Sequence, residues 1–364
     1  MQSFAPRRFS FYDNERNVAV KTKIVIGVIF ASIMFGNIIF AKEDGDAYKN
    51  NTPKMKEIYE VFILNENNPA VKLNNEGNLL LIGKDYLKAI EKYLEAQKLD
   101  PNNPLILDNL AWAYIMNGNY DKSIEVSRSS ISENKGNATS YYYRGVAYFY
   151  TGNIKLAEED LSKAISLDQN YPYTHYYLAH VYERKGYIEE ALFEAETAAF
   201  ILGDVWNPEV ALFLGDLYAK AGMFQKALLQ YQKLIDEPEY AFEAYYGLGV
   251  CYGYFGDFNK SEKNFLKAKD LDDENPMVSY GLAKLYSTDK TKLKKSLDYA
   301  QEALSEDEEN PKYLYLVGWV YYQMGEIEDA LRFIKEASSR DIENSEYKKQ
   351  VKMLEEELSK KSSR

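Results

Sequence analysis

A chain of 364 residues, 46% hydrophobic and 27% charged, is long enough for two or three ordinary domains and too apolar to stay disordered. The formal net charge is −12, and because residues 1–41 carry five cations against two acids, the remainder is near −15. Phosphate backbones repel such a chain, which excludes nucleic acid as a partner class. The one cysteine, Cys251, excludes an intramolecular disulfide, and its setting in Val-Cys-Tyr reads as a small core residue rather than a nucleophile.

Residues 1–23 form a basic N-terminal region, and residues 24–41, from Ile24 to Ala41, contain no charge. Lys21 and Lys23 precede this run and Glu43, Asp44 and Asp46 follow it, a step that keeps the cationic side in the cytoplasm and sends the rest out. Two readings are open. Ala41 is an acceptable cleavage residue for a signal peptide, and a start at Val20 would make the leader an ordinary secretory one; eighteen apolar residues also suffice for a retained transmembrane anchor. Both predict an exported protein, either periplasmic or anchored to the cytoplasmic membrane with its bulk outside the cytoplasm. Residues 42–53 read as a linker, and 54–69 as one orphan helix of a degenerate repeat, running from Lys54 to Leu64 and closing on Asn-Glu-Asn-Asn-Pro.

From residue 70 a period near 34 residues emerges once Gly and Tyr are aligned. Gly145, Tyr148, Gly152, Ala157 and Leu161 recur as Gly215, Tyr218, Gly222, Ala227 and Tyr231, then as Gly249, Tyr252, Gly256 and Phe265, and again as Gly318, Tyr321, Gly325 and Ala330. Each unit has apolar residues at helical spacing, a Gly-containing turn and a second helical stripe. The first small residue lets the two helices approach closely; Ala111, Ala179 and Ala283 serve the same purpose elsewhere. Pro104, Pro172, Pro208, Pro276 and Pro311 stand at unit boundaries, where a first helical position tolerates proline. The count is eight units: 70–103, 104–137, 138–171, 172–207, 208–241, 242–275, 276–310 and 311–344. Two are irregular: Gly203 to Asn207 add residues between the fourth and fifth, and Ser-Thr-Asp-Lys-Thr-Lys-Leu-Lys-Lys (287–295) replaces the Gly turn of the seventh. Residues 345–364 read as a charged capping helix, which repeat arrays need.

This pattern resembles the tetratricopeptide repeat, specifically an exported or membrane-anchored bacterial member, over about residues 70–344. The resemblance implies an all-α, right-handed superhelical solenoid of helix-turn-helix units, with no catalytic site and no cofactor. It also implies a concave groove lined by the first helix of each unit. The matching positions include Trp112 with Asp108 and Ile115; Tyr142, Val146 and Phe149; Tyr176, His180 and Glu183; Tyr246, Val250 and Gly253; Tyr280, Lys284 and Ser287; and Tyr315, Trp319 and Tyr322. Tyrosine recurs at one groove position in Tyr142, Tyr176, Tyr246, Tyr280 and Tyr315, where the repeat itself does not require it. Such a ladder either packs on neighbouring helices or binds a partner; Tyr combines an apolar face, a polar tip and little rotamer entropy. The family's carboxylate clamp needs Lys, Arg and Asn on these stripes, and only Asn74, Asn78 and Lys284 echo it, so the clamp is rejected. The implied function is a scaffold of the bacterial cell envelope that binds a peptide segment or helix of a protein partner. The alternative is a glycan-binding module for peptidoglycan or exported polysaccharide.

Catalytic and metal signatures are absent from the sequence. There is no G-x-x-x-x-G-K-[ST] loop and no Cys/His cluster with zinc spacing. His175 and His180, five residues apart, point too far apart on a helix to share a metal. Asp272-Asp273-Glu274 and Glu306-Asp307-Glu308-Glu309 read as solvated turns.

Overall fold

The computed structural model describes residues 68–362 apart from Asp204, so the leader, linker and orphan helix expected within residues 1–67 lie outside it. Every regular element among the described residues is helical, and no helix among them is long and apolar enough to cross a membrane. The chain divides between Leu202 and Gly203 into two compact units.

The first unit holds α1 (Pro69–Ile82), α2 (Tyr86–Leu99), α3 (Pro104–Met116), α4 (Tyr120–Glu133), α5 (Ala138–Tyr150), α6 (Ile154–Leu167), α7 (Pro172–Lys185) and α8 (Ile188–Leu202). The second holds α9 (Pro208–Lys220), α10 (Phe224–Leu234), α11 (Ala241–Tyr254), α12 (Phe258–Leu271), α13 (Pro276–Ser287), α14 (Leu293–Glu306), α15 (Pro311–Met324), α16 (Ile327–Arg340) and a terminal α17 (Ser345–Ser362). Within each unit every helix packs on the next in the chain, and the first helices of successive pairs also touch one another, forming an inner row.

Local chemistry sets the helix ends. Asn68, Asn103, Asn207, Asn275 and Asn310 each precede a proline and accept a hydrogen bond from a backbone N–H of the first turn, at 2.9–3.2 Å. The pairs turn through a left-handed residue such as Gly256, at φ 73°, a conformation that costs glycine little. Two pairs do without that glycine. Lys84 takes φ 61° in the first, the one non-glycine positive φ among the described residues. In the seventh, α13 is only 12 residues long and a 3-10 turn, Lys290–Lys292, bridges to α14.

Helix contact is closest at the small first-helix positions. A Cβ on Gly145 would meet Leu161 at 2.8 Å, and one on Gly318 would meet Ile334 at 2.6 Å. In the second unit the second helix reaches two first helices at once. The Tyr231 ring lies against both Gly215 and Gly247, where added Cβ atoms would stand 2.7 and 2.5 Å from it. Phe265 lies in the same way against Gly249 and Gly281, at 2.6 and 2.8 Å. Both rings are almost wholly buried, and the Tyr231 hydroxyl donates to Asp216 at 2.7 Å.

This packing predicts that Gly247→Ala costs about 1–3 kcal/mol of stability, the usual penalty for overfilling a core. Combined with Tyr231→Leu, which vacates the ring's space, it should cost less than the sum of the two single changes. Denaturant unfolding of the four proteins measures that coupling.

Candidate functional site

In the second unit the first-helix stripe runs along α9, α11, α13 and α15. Tyr246, Tyr280, Tyr315, Trp319 and Tyr322 are each half-buried, and Lys284 is exposed. The Tyr246 ring is 5.6 Å from Phe265, Tyr280 is 5.4 Å from Tyr313, and Tyr315 stacks at 4.7 Å on Tyr347 of the terminal helix. Lys284 Nζ lies 5.5 Å from the Tyr280 ring, and Trp319 is 5.6 Å from Tyr322. The Gln323 amide joins α15 to α13: its oxygen accepts from Trp319 Nε1 at 2.7 Å and its nitrogen donates to the Ser287 carbonyl at 3.0 Å. Burial pushes the Tyr246 hydroxyl up to about 12, with Tyr280 and Tyr313 adding to the effect, and burial also raises Tyr280, Tyr313 and Tyr315. These hydroxyls therefore stay protonated at neutral pH. The stripe offers uncharged donors, acceptors and ring edges, a chemistry suited to amide groups and apolar side chains.

The first unit is different. Trp112, Tyr142 and Phe149, which the resemblance places on the groove, are 8%, 2% and 6% exposed and belong to the core. Tyr142 is enclosed by Tyr171 and Tyr177 at 5.1 and 5.9 Å, and Trp112 is stacked by Tyr143 at 5.3 Å. The Arg184 guanidinium lies 3.9 Å over Phe149 and donates to its carbonyl at 3.0 Å. One repeat position contributes to this burial. The residue after the stripe tyrosine is Tyr143 or Tyr177 here but Gly247 or Gly281 in the second unit, and the two extra rings cover the neighbouring stripe. Asp108 is likewise buried, accepting from Ser130, Ser140 and Asn137 at 2.9, 2.6 and 2.6 Å; desolvation raises its pKa despite those donors. Tyr176, His180 and Glu183 remain half-buried on this stretch, Tyr176 and His180 in an edge contact at 4.6 Å.

Repeat models match in four places: a TPR repeat over residues 145–186, and tetratricopeptide repeats over 86–125, 242–275 and 311–341. The chain carries tetratricopeptide repeats. It is 23% identical over 308 residues to the TPR repeat-containing protein YpiA of Bacillus subtilis, covering 84% of this chain and 71% of that one. It is 24% identical over 286 residues to the TPR repeat-containing protein MJ1428 of Methanocaldococcus jannaschii, covering 74% of this chain and 50% of the relative. A shorter match, 32% over 99 residues, is to the heat-shock protein cognate co-chaperone sgt12 of Aspergillus fumigatus; it covers 27% of this chain and 29% of that protein. Among solved structures, the Cut9–Hcn1 hetero-tetramer of APC/C aligns with a TM-score of 0.56 at 16% identity, covering 83% of this chain and 58% of that chain, a likeness of fold.

The asparagines that echo a tetratricopeptide carboxylate clamp are engaged internally. Asn74 Oδ1 accepts from Asn109 at 2.9 Å, and Asn78 Oδ1 accepts from the Tyr93 hydroxyl at 2.6 Å. Two partners of the tyrosine stripe escape sequence reasoning, Tyr313 and Tyr347. Tyr347 repeats Tyr313 at the 34-residue period, which was the available signal, but the chain between them gives no hint that each reaches a ring two helices back, on the preceding first helix. Among the described residues no group of three or more His, Cys, Asp or Glu side chains could hold a metal. Cys251 is fully buried, and burial pushes its thiol up to about 12.

His175 and His180 have separate surroundings. His175 Nδ1 lies 2.6 Å from Glu194 and Nε2 3.1 Å from the Gln169 carbonyl, so both ring nitrogens face acceptors. Burial opposes the charged ring, but the Glu194 hydrogen bond, the Gln169 carbonyl and the nearby acids outweigh it and raise the pKa. A raised histidine stabilises the fold fully below its unfolded value of 6.5, and that contribution is lost as pH climbs through the folded value. Thermal melts of the chain should therefore fall across that window, and His175→Gln should flatten the dependence while leaving other pH effects in place.

Proposed function

We propose that this chain is a non-enzymatic scaffold that receives a peptide segment or helix of a protein partner along the first-helix stripe of its second unit. The observation that carries the reading is the graded burial of Tyr246, Tyr280, Tyr315, Trp319 and Tyr322: each ring is anchored by neighbours yet keeps part of its surface open. Anchored, partly open aromatics lose little entropy on binding, which is how interface hot spots work. Val250, 36% exposed, and Lys284 lie on the same stripe and supply an apolar contact and one charge. The co-chaperone sgt12, similar over 27% of this chain, supports a protein as the ligand class. A glycan is less well served, because sugars stack on open ring faces and the Tyr315 face is taken by Tyr347.

The expected consequence is that Trp319→Ala combined with Tyr322→Ala weakens partner binding by about 2–4 kcal/mol, the range for central aromatic anchors. Their partial exposure means that the unfolding midpoint should move less. Partners identified by crosslinking to the intact protein, followed by titration of the double variant, test this; unchanged affinity would refute the groove.

The same reading keeps the repeats outside the cytoplasm, in the cell envelope, on the charge step across residues 21–46. A reporter fused after Arg364 should be active when it is of the kind that works only in an exported compartment; activity confined to a cytoplasmic reporter would sink this.

A further inference from the structure

The turns that join first to second helices form one edge of the second unit, and large apolar side chains stand exposed there. Met223, Tyr254, Phe255 and Phe258 are 44%, 65%, 40% and 48% exposed there. They form one patch: Phe224, at the start of α10, stacks on Tyr254, at the end of α11, with ring centroids 3.9 Å apart, and Tyr254 touches Phe255 at 5.8 Å. The next turn continues the edge. Glu262, one helical turn beyond Phe258, accepts a hydrogen bond from the Tyr286 hydroxyl and pairs with Lys295 at 3.2 Å, which fixes the α13–α14 connection beside the rings.

That connection is the segment where the repeat lacks its glycine turn, and it is strongly basic. Residues 284–295 hold five lysines against one acid, Asp289, whose carboxylate is occupied by the Thr291 N–H and hydroxyl at 2.9 and 2.7 Å. Lys290, Lys292 and Lys294 are exposed. Lys284 belongs to the first-helix stripe and Lys295 to the Glu262 pair, so the outward basic group of this connection is Lys290, Lys292 and Lys294.

We propose that this edge docks the second unit on a bilayer surface carrying anionic headgroups. Lysines beside the surface supply the attraction, and the rings enter the interfacial layer, where amphipathic aromatics are favoured. Lys290, Lys292 and Lys294 have no arginine among them, which suits diffuse attraction to headgroups better than bidentate recognition of carboxylates on an acidic protein. The acidic remainder of the chain is repelled by the same surface, which favours contact through the turns.

The test uses the full chain with vesicles of equal parts phosphatidylcholine and phosphatidylglycerol, and with pure phosphatidylcholine vesicles. Hydrogen exchange should slow at residues 221–224, 254–258 and 287–294 on the anionic vesicles only, and the protection should fade in high salt. K290E/K292E/K294E should weaken this protection by roughly tenfold or more, since each lysine contributes separately. Phe255→Ser with Phe258→Ser should weaken it in protein that a thermal melt shows to be folded at the temperature of the experiment. The proposal is overturned if the chain is vesicle-bound while these turns exchange unchanged, because attachment then lies elsewhere, for instance in residues 24–41. It is also overturned if the lysine reversals have no effect, or if polyglutamate protects the turns and vesicles do not.

Discussion

Where a second helix meets the first helices beside it, a ring or branched chain needs a small residue to lie against. In the second unit the second helix supplies the bulk, with Tyr231 and Phe265, and the first helix yields with Gly247 and Gly281. In the first unit the equivalent second-helix positions are Tyr93, Ser127 and Leu161, and the next first helices carry Asn109, Tyr143 and Tyr177. Cores tolerate little departure from native density, so the junctions of Gly247 with Tyr231 and of Gly281 with Phe265 have no room for a first-helix ring.

This exchange of volume decides which surface remains open. When the ring comes from the first helix it leans over the adjacent stripe, so Tyr143 covers Trp112 and Tyr177 covers Tyr142. When it comes from the second helix it fills the space from behind, and the stripe rings stay half-buried, as at Tyr246 and Tyr280. The same positions of one repeat therefore serve as core in one unit and as candidate binding surface in the other. Tyr280 and Tyr315 are held by Tyr313 and Tyr347, so their rings are oriented before any partner arrives.

The irregular seventh pair follows the same economy. Most turns rely on a left-handed glycine, but Asp289 instead caps a 3-10 turn, and a connection free of that backbone requirement can carry side chains. Lysines occupy it, beside the exposed rings of the preceding turn. Stability and surface character thus separate cleanly: buried glycine-and-ring contacts hold the pairs together, and the turns carry the charge and aromatic variation.

Much of the architecture could be read from residue order, because helical repeats are held by contacts at fixed, short separations. The 34-residue period, the Asn-Pro starts, the turn glycines and the small residue facing Leu161 or Ile334 are all local signals, and the helices begin and turn where those signals stand. The irregular turn at 287–295 was equally visible. What could not be read was which groove positions are open. Tyr142 and Tyr246 occupy the same repeat position and look alike in sequence, yet one is enclosed and the other half-buried, because exposure depends on the volume contributed by the neighbouring pair. Asp108 likewise turns inward only because Ser130, Ser140 and Asn137 converge on it from two other helices and their caps. Period and helix ends are properties of a single segment, whereas burial is a property of several segments brought together.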